Sequence, residues 1–238
     1  MIIKKMKQLV FTAILLGLIS CSNDATNPSN QLRLKIQSTV KTSTVMKSKA
    51  LVSNQTASLV WDSCYMNVSK VSFEAKKSSS EGAKDSAQVK FEWKGSKKVD
   101  LFGSNPLIGE VTMGTGLFEK MSLQLQSFKT DAGTAPVFYL KGNYTNAAGV
   151  TTVIIVNVNE DFEFKVESKD SKMNAIKNFA GLINLNLTSL MSKVVESELD
   201  KATLTNGKII ISISSNATLY DKIKGGLSSC EEANFQAE

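Results

Sequence analysis

The chain has 238 residues, of which 42 % are hydrophobic, 21 % charged and only three proline, a globular composition that excludes a disordered protein. It contains no histidine, which removes Ser-His-Asp and Cys-His nucleophile systems and histidine-based zinc sites. The formal charge of +6 falls to +3 without Lys4, Lys5 and Lys7, and Lys76-Lys77 and Lys97-Lys98 lack the interleaved aromatics or arginines of a phosphate track, so no nucleic-acid partner is expected.

Residues 1–20 read as an export signal. Lys4, Lys5 and Lys7 form a cationic start, and Leu9 to Ile19 is almost wholly apolar. That run is shorter than the about 20 apolar residues of a membrane-spanning helix. It ends in Leu18-Ile19-Ser20-Cys21, which resembles the lipobox of bacterial lipoproteins. The resemblance implies cleavage before Cys21, diacylglycerol on its sulfur and usually a further acyl chain on the new amine. Each buried CH₂ of such chains contributes about 0.8 kcal/mol, so two or three chains hold a soluble body stably on a membrane. Ser22 stands where an aspartate would resemble an inner-membrane retention signal, which points to the outer membrane; Asn23-Asp24 leaves its periplasmic or outer face undetermined. Residues 21–30, rich in Asn, Ser and Thr, read as a tether.

Residues 31–238 are expected to form a single domain, a mainly β, antiparallel sandwich. Leu32, Leu34 and Ile36 alternate with polar neighbours, as do Val89, Phe91 and Trp93, then Met121, Leu123 and Leu125, then Phe162, Phe164 and Val166. Period-two alternation predicts strands with one wet face. Val153–Val156, Ile209–Ile211 and the stretch from Leu59 to Phe73 are more continuously apolar and read as central strands, the last with a bulge between Val68 and Val71. Asn146-Ala147-Ala148-Gly149, Asp131-Ala132-Gly133 and Asn206-Gly207 supply turns. Residues 168–181 are ambiguous, because Met173, Ile176 and Phe179 fit a helix period while the Gly181-Leu182-Ile183-Asn184-Leu185-Asn186-Leu187 that follows reads as strand. Two helices are predicted near the C-terminus: Thr188 to about Lys201, and Asn216 to Lys224, capped by Asn216 and ended by Gly225-Gly226.

With Cys21 lipidated, Cys64 and Cys230 remain as an even pair in an oxidising compartment. They are a candidate disulfide or, equally, two buried thiols acting as small hydrophobes. Asp85-Ser86-Ala87 resembles the Bacteroidota O-glycosylation sequon, with Ser86 as acceptor. The Asn-x-Ser/Thr triplets at Asn54, Asn67, Asn143, Asn186 and Asn216 carry no meaning in a bacterial lipoprotein.

Ala57-Ser58-Leu59-Val60-Trp61-Asp62, Val71-Ser72-Phe73-Glu74, Lys98-Val99-Asp100-Leu101, Gly116-Leu117-Phe118-Glu119-Lys120-Met121 and Leu140-Lys141-Gly142-Asn143-Tyr144 together resemble a group of uncharacterised Bacteroidota cell-envelope lipoproteins. The resemblance covers most of residues 31–232 and implies an immunoglobulin-like or transthyretin-like sandwich and an envelope location. It implies no activity.

No phosphate loop or dinucleotide fingerprint is present, and Gly114-Thr115-Gly116 reads as a strand-to-strand turn. Asp100, Glu110, Glu119, Glu160 and Asp161 are the acids available for a two-carboxylate glycan hydrolase, and solvated charge explains them more simply. Asn157, Asn159, Glu160 and Asp161 lack the ligand spacing of a calcium loop. No metal or cofactor is expected. The chain therefore reads as a non-enzymatic, lipid-anchored outer-membrane protein with a glycan or protein partner. A fimbrial or adhesin-type subunit and, less favoured, the hydrolase are the alternatives.

Overall fold

Alternating side chains call for strands along most of the chain, and the computed structural model is mainly β with few helices. It describes residues 30–39, 41–44, 57–78, 88–104, 106–114, 116–131, 135–168, 173–174 and 178–237. The export signal, Cys21, the tether to residue 29, Asn54 and Ser86 lie outside the described residues.

β1 (Asn30–Gln37) and β2 (Thr42–Thr44) precede β3 (Ser58–Lys77), a 20-residue strand on which the molecule is built. β4 (Gln88–Asp100), β5 (Leu107–Met113), β6 (Leu117–Ser127), β7 (Phe138–Thr145), β8 (Thr151–Val158), β9 (Phe162–Glu167), β10 (Met173–Asn174) and β11 (Phe179–Leu185) follow. After them come α1 (Leu187–Leu190), α2 (Glu196–Asp200), β12 (Leu204–Thr205), β13 (Lys208–Ile211), α3 (Ala217–Leu227) and β14 (Glu231–Ala237).

Four strands make a small sheet in the order β14-β11-β1-β5, and the others make a large sheet around β3. One edge of β3 carries β2 and then β4. Its other edge carries β7 along residues 58–66 and β6 along residues 70–77, and β8 and β9 pair outside these two in turn. Two consecutive rows of the large sheet are therefore interrupted at the same level, one between the end of β6 at Ser127 and the start of β7 at Phe138, the other between the end of β8 at Val158 and the start of β9 at Phe162. The register of β3 against β4 shifts there too, between Val68 and Lys70, where the bulge was expected.

The expected alternation fills the core. Leu32, Leu34, Ile36, Leu123 and Leu125 are fully buried. The two sheets meet through Phe73 of β3 and Phe235 of β14, whose rings pack edge to face with centres 6.1 Å apart. At one end the sheets join through the backbone: Ser38 N–H donates to Leu101 O and Leu101 N–H to Cys64 O, both at 2.8 Å.

Four expectations are corrected. The sheets are mixed, not purely antiparallel: β1 runs parallel to β11, and β8 to β13. Both pairs are separated in sequence by far more than the dozen or so residues a parallel crossover needs. The helix expected from Thr188 to Lys201 is two short ones, because Val195 is extended (φ −108°, ψ 151°) and caps α2, its N–H donating to Glu198 Oε2 at 3.2 Å. Conversely, α3 does not stop at Gly225-Gly226 but runs on to Leu227. A side chain at Gly226 would meet the Leu190 carbonyl oxygen at 2.5 Å, so the glycine lets α3 lie against α1 instead of ending the helix. Asn216 is no conventional cap either. It is left-handed (φ 53°), and its amide holds Thr203 N–H, Thr203 O and Ile210 O at 2.8–3.0 Å.

Candidate functional site: a polar break beside a tyrosine ladder

The outer face of the large sheet has two unlike halves. Across β4, β3, β6 and β9 it is neutralised by its own side chains. Glu92 accepts from Lys70 at 3.0 Å and Lys94 at 2.8 Å, Glu74 pairs with Lys90 at 3.3 Å, and Glu163 accepts from Gln124 and Gln126 at 2.7 and 2.8 Å. Those amide hydrogen bonds hold the Glu163 carboxyl below its usual range. Solvent screens exposed pairs of this kind, so they add little to stability, but each occupies its carboxylate with a partner on the same face.

Across β4, β3, β7 and β8 the chemistry changes. Asp100, Tyr65, Tyr139 and Asn157 form one cross-strand row. The tyrosine rings stack with centres 4.6 Å apart and planes 12° from parallel, and Lys98 Nζ sits 3.6 Å from the Tyr65 ring centre. Cation–π attraction and ring stacking each add about 0.5–1.5 kcal/mol to such a row. Tyr65 is thus held between Lys98 and Tyr139, and Asn157 stands beyond Tyr139 in the same row. Burial pushes both phenols above their ordinary pKa, so they are neutral hydrogen-bonding groups at physiological pH.

The break in the sheet adjoins this row. Asn159 closes it: its Oδ1 accepts from Thr130 N and lies 2.9 Å from Thr130 Oγ1, and its Nδ2 donates to Thr130 O at 3.0 Å. Asn67 Nδ2 donates to Pro136 O at 2.8 Å, and Ser69 Oγ accepts from Phe128 N at 3.0 Å. Two open hollows flank the break. One, of about 460 Å³, is bordered by Asn157, Asn159, Ser212, Ser214, Lys129 and Tyr220. The other, of about 430 Å³, is bordered by Asn67, Ser96, Thr130, Asp131 and the same Lys129. Ile213 borders the first hollow and is 68 % exposed, and Phe128, just past the end of β6, is 49 % exposed. Pro136, Ile213 and Ala135 complete the lining of the two hollows, so amides, hydroxyls, the Lys129 ammonium and the Asp131 carboxylate alternate with apolar groups, a mixture that suits a ligand with both hydroxyl and C–H faces.

Four of the five acids that sequence offered for hydrolysis have partners of their own. Glu110 faces Arg33 at 3.2 Å on the small sheet, and Asp100 accepts from Phe102 N–H in its own turn at 3.0 Å. The Glu119 side chain lies outside the described residues. Glu160 and Asp161 are adjacent but occupied: Glu160 accepts from Tyr220 OH at 3.1 Å with Lys224 Nζ at 3.5 Å, and Asp161 accepts from Lys129 N at 2.6 Å. Burial first, and the bond to Glu160 second, push the Tyr220 phenol up to about 12. Among the described residues no cluster of three or more acid or thiol ligands that could hold a metal ion occurs, and no helix is long and apolar enough to cross a membrane. Cys64 and Cys230 are both buried and both free thiols.

Tyr65, Tyr139, Lys98, Asn67, Thr130 and Tyr220 did not stand out in the sequence as site residues. The usable signal was phase: Tyr65 falls between inward Cys64 and Met66, and Tyr139 between inward Phe138 and Leu140, so both must face outward. Comparison of the chain with protein-family models, curated proteins and solved structures finds no match.

Proposed function

We propose that the chain is a lipid-anchored outer-membrane protein without catalytic activity, whose β body binds a glycan of the envelope or its surroundings. The anchor is Cys21, following the apolar run from Leu9 to Ile19. The body is a variant of the immunoglobulin-like or transthyretin-like sandwich that accommodates two parallel pairings. One observation carries the binding half of the reading: a tyrosine–asparagine row opening onto amide- and hydroxyl-lined hollows, on a sheet face whose other half is already neutralised by its own side chains. Sugar hydroxyls are met by Asn157, Asn159 and Ser212, and the Tyr139 ring supplies an apolar face for sugar C–H groups.

Affinity electrophoresis of the purified protein in gels containing xylan, pectin or mucin tests this. Retardation by at least one is expected, with Tyr139→Ala weakening it about tenfold or more, as loss of an anchoring aromatic does, while the variant, though less stable for want of the Tyr65 stacking, stays folded at the temperature of the gel. Free migration in all three gels, or retardation that ignores Tyr139→Ala, would refute the glycan assignment. A polymer-forming subunit is the second reading. It is favoured by β14, an edge strand whose backbone pairs, among the described residues, with β11 alone, so that it could be exchanged between copies.

A further inference from the structure

Glycan binding leaves Cys64 and Cys230 unused. Cys64 points inward from β3 and Cys230 lies just before β14, each 1 % exposed and each part of the same apolar core. A single layer of hydrogen bonds leads from one to the other. Leu101 N–H donates to Cys64 O at 2.8 Å, Ser38 N–H to Leu101 O at 2.8 Å, Ser38 Oγ to Leu185 O at 2.7 Å, and Asn186 N–H to Cys230 O at 2.8 Å. Five neighbouring segments therefore wrap one end of the core, with a thiol at each end of the wrap.

We propose that Cys64 and Cys230 close a disulfide across this end of the core as the chain folds in an oxidising compartment, stapling the C-terminal strand to β3. The step is thiol–disulfide exchange. Both thiols lose their protons, one S–S bond forms between the two Sγ atoms, and two electrons pass to a disulfide oxidant, whose own S–S bond breaks to give two thiols. The free thiols of the structure are the reduced end of this reaction.

The timing follows from burial. Burial pushes the Cys64 thiol far up, with Asp100 and Cys230 adding to the shift, and the strands that carry the two cysteines, β3 and β14, face each other through Phe73 and Phe235. Burial likewise pushes Cys230 up to about 12. Thiolates are the attacking species, so the folded, reduced protein is inert and the bond forms before the core closes. The ring spans more than 160 residues, long enough for a large restriction of the unfolded chain. Export is assumed here as in the functional reading, but the chemistry is tested without it and without any ligand.

The full chain carrying Cys21→Ser retains these two thiols. It is unfolded in guanidinium with dithiothreitol, refolded in mixed reduced and oxidised glutathione, and its thiols are counted with a maleimide after denaturation. Expected are no free thiols, a monomer, a peptide linking Cys64 to Cys230, and a guanidinium midpoint above that of protein refolded with dithiothreitol. Folded reduced protein placed in the same glutathione mixture should keep both thiols. Two free thiols after oxidative refolding to native tryptophan fluorescence, or glutathione adducts or intermolecular dimers instead, would overturn the proposal. If neither sample refolds, the same count and peptide map on protein extracted from the cells that make it decide between the same outcomes.

Discussion

Phe73→Ala is expected to lower the folding free energy by about 3–5 kcal/mol, a large share of the roughly 5–15 kcal/mol that holds a domain together. Phe73 is fully buried in the middle of β3. It is paired with Phe91 of β4 on one side and Leu123 of β6 on the other, and Phe235 of the small sheet meets it edge to face. Truncation opens a cavity where four strands converge, and extended strands pinned on both edges cannot collapse into it. Urea unfolding followed by tryptophan fluorescence measures the loss. Glu74→Ala, one residue on and facing water, is the control, with a change of about 0.5 kcal/mol or less.

Gly142→Ala should be as damaging although it adds a single methyl group. A Cβ at this position would stand 2.2 Å from the Val60 carbonyl oxygen and 2.9 Å from the Trp61 Cα. Those atoms are backbone of the neighbouring strand, so no rotamer change relieves the clash and β3 must move away from β7. Overpacking ordinarily costs about 1–3 kcal/mol. With two backbone atoms obstructing, the upper end of that range is expected, seen as a lowered urea midpoint or as insoluble protein. Gly114→Ala gives the comparison: no atom lies within 4 Å of a Cβ placed there, and its stability should stay within about 0.5 kcal/mol.

Both expectations rest on β3, which shows how far the sequence could be read. Strands with one wet face declare themselves, and the alternations at Leu32–Ile36, Met121–Leu125 and Phe162–Val166 all correspond to strands in the structure. β3 was legible as apolar and bulged. Its span of 20 residues and its two partners end to end on one edge were not, because pairing between distant segments leaves no local trace. The same limit hid the tyrosine ladder: outward phase can be seen at Tyr65 and at Tyr139, but their meeting depends on the register of β3 against β7. The helical C-terminal region misled for a different reason. Local signals at Asn216 and Gly226 were overruled by contacts beyond their own helix, namely an amide tying Thr203 to Ile210 and the close approach of α3 to α1, whereas at Val195 the helix breaks on a local cap, the Val195 N–H bonded to Glu198 three residues on. Carboxylates could be counted in the sequence. Only the structure shows Glu160 and Asp161 already engaged by Tyr220, Lys224 and the Lys129 backbone.

The tyrosine row and the hollows have their proposed role only if the body is held in the envelope by its N-terminus. Mass spectrometry of the N-terminal peptide, from protein extracted in detergent from the membrane fraction, tests that most directly. The account predicts a peptide that begins at Cys21 and carries diacylglycerol on the sulfur. A mature N-terminus at any other residue, or a Cys21 with an unmodified thiol, would contradict it.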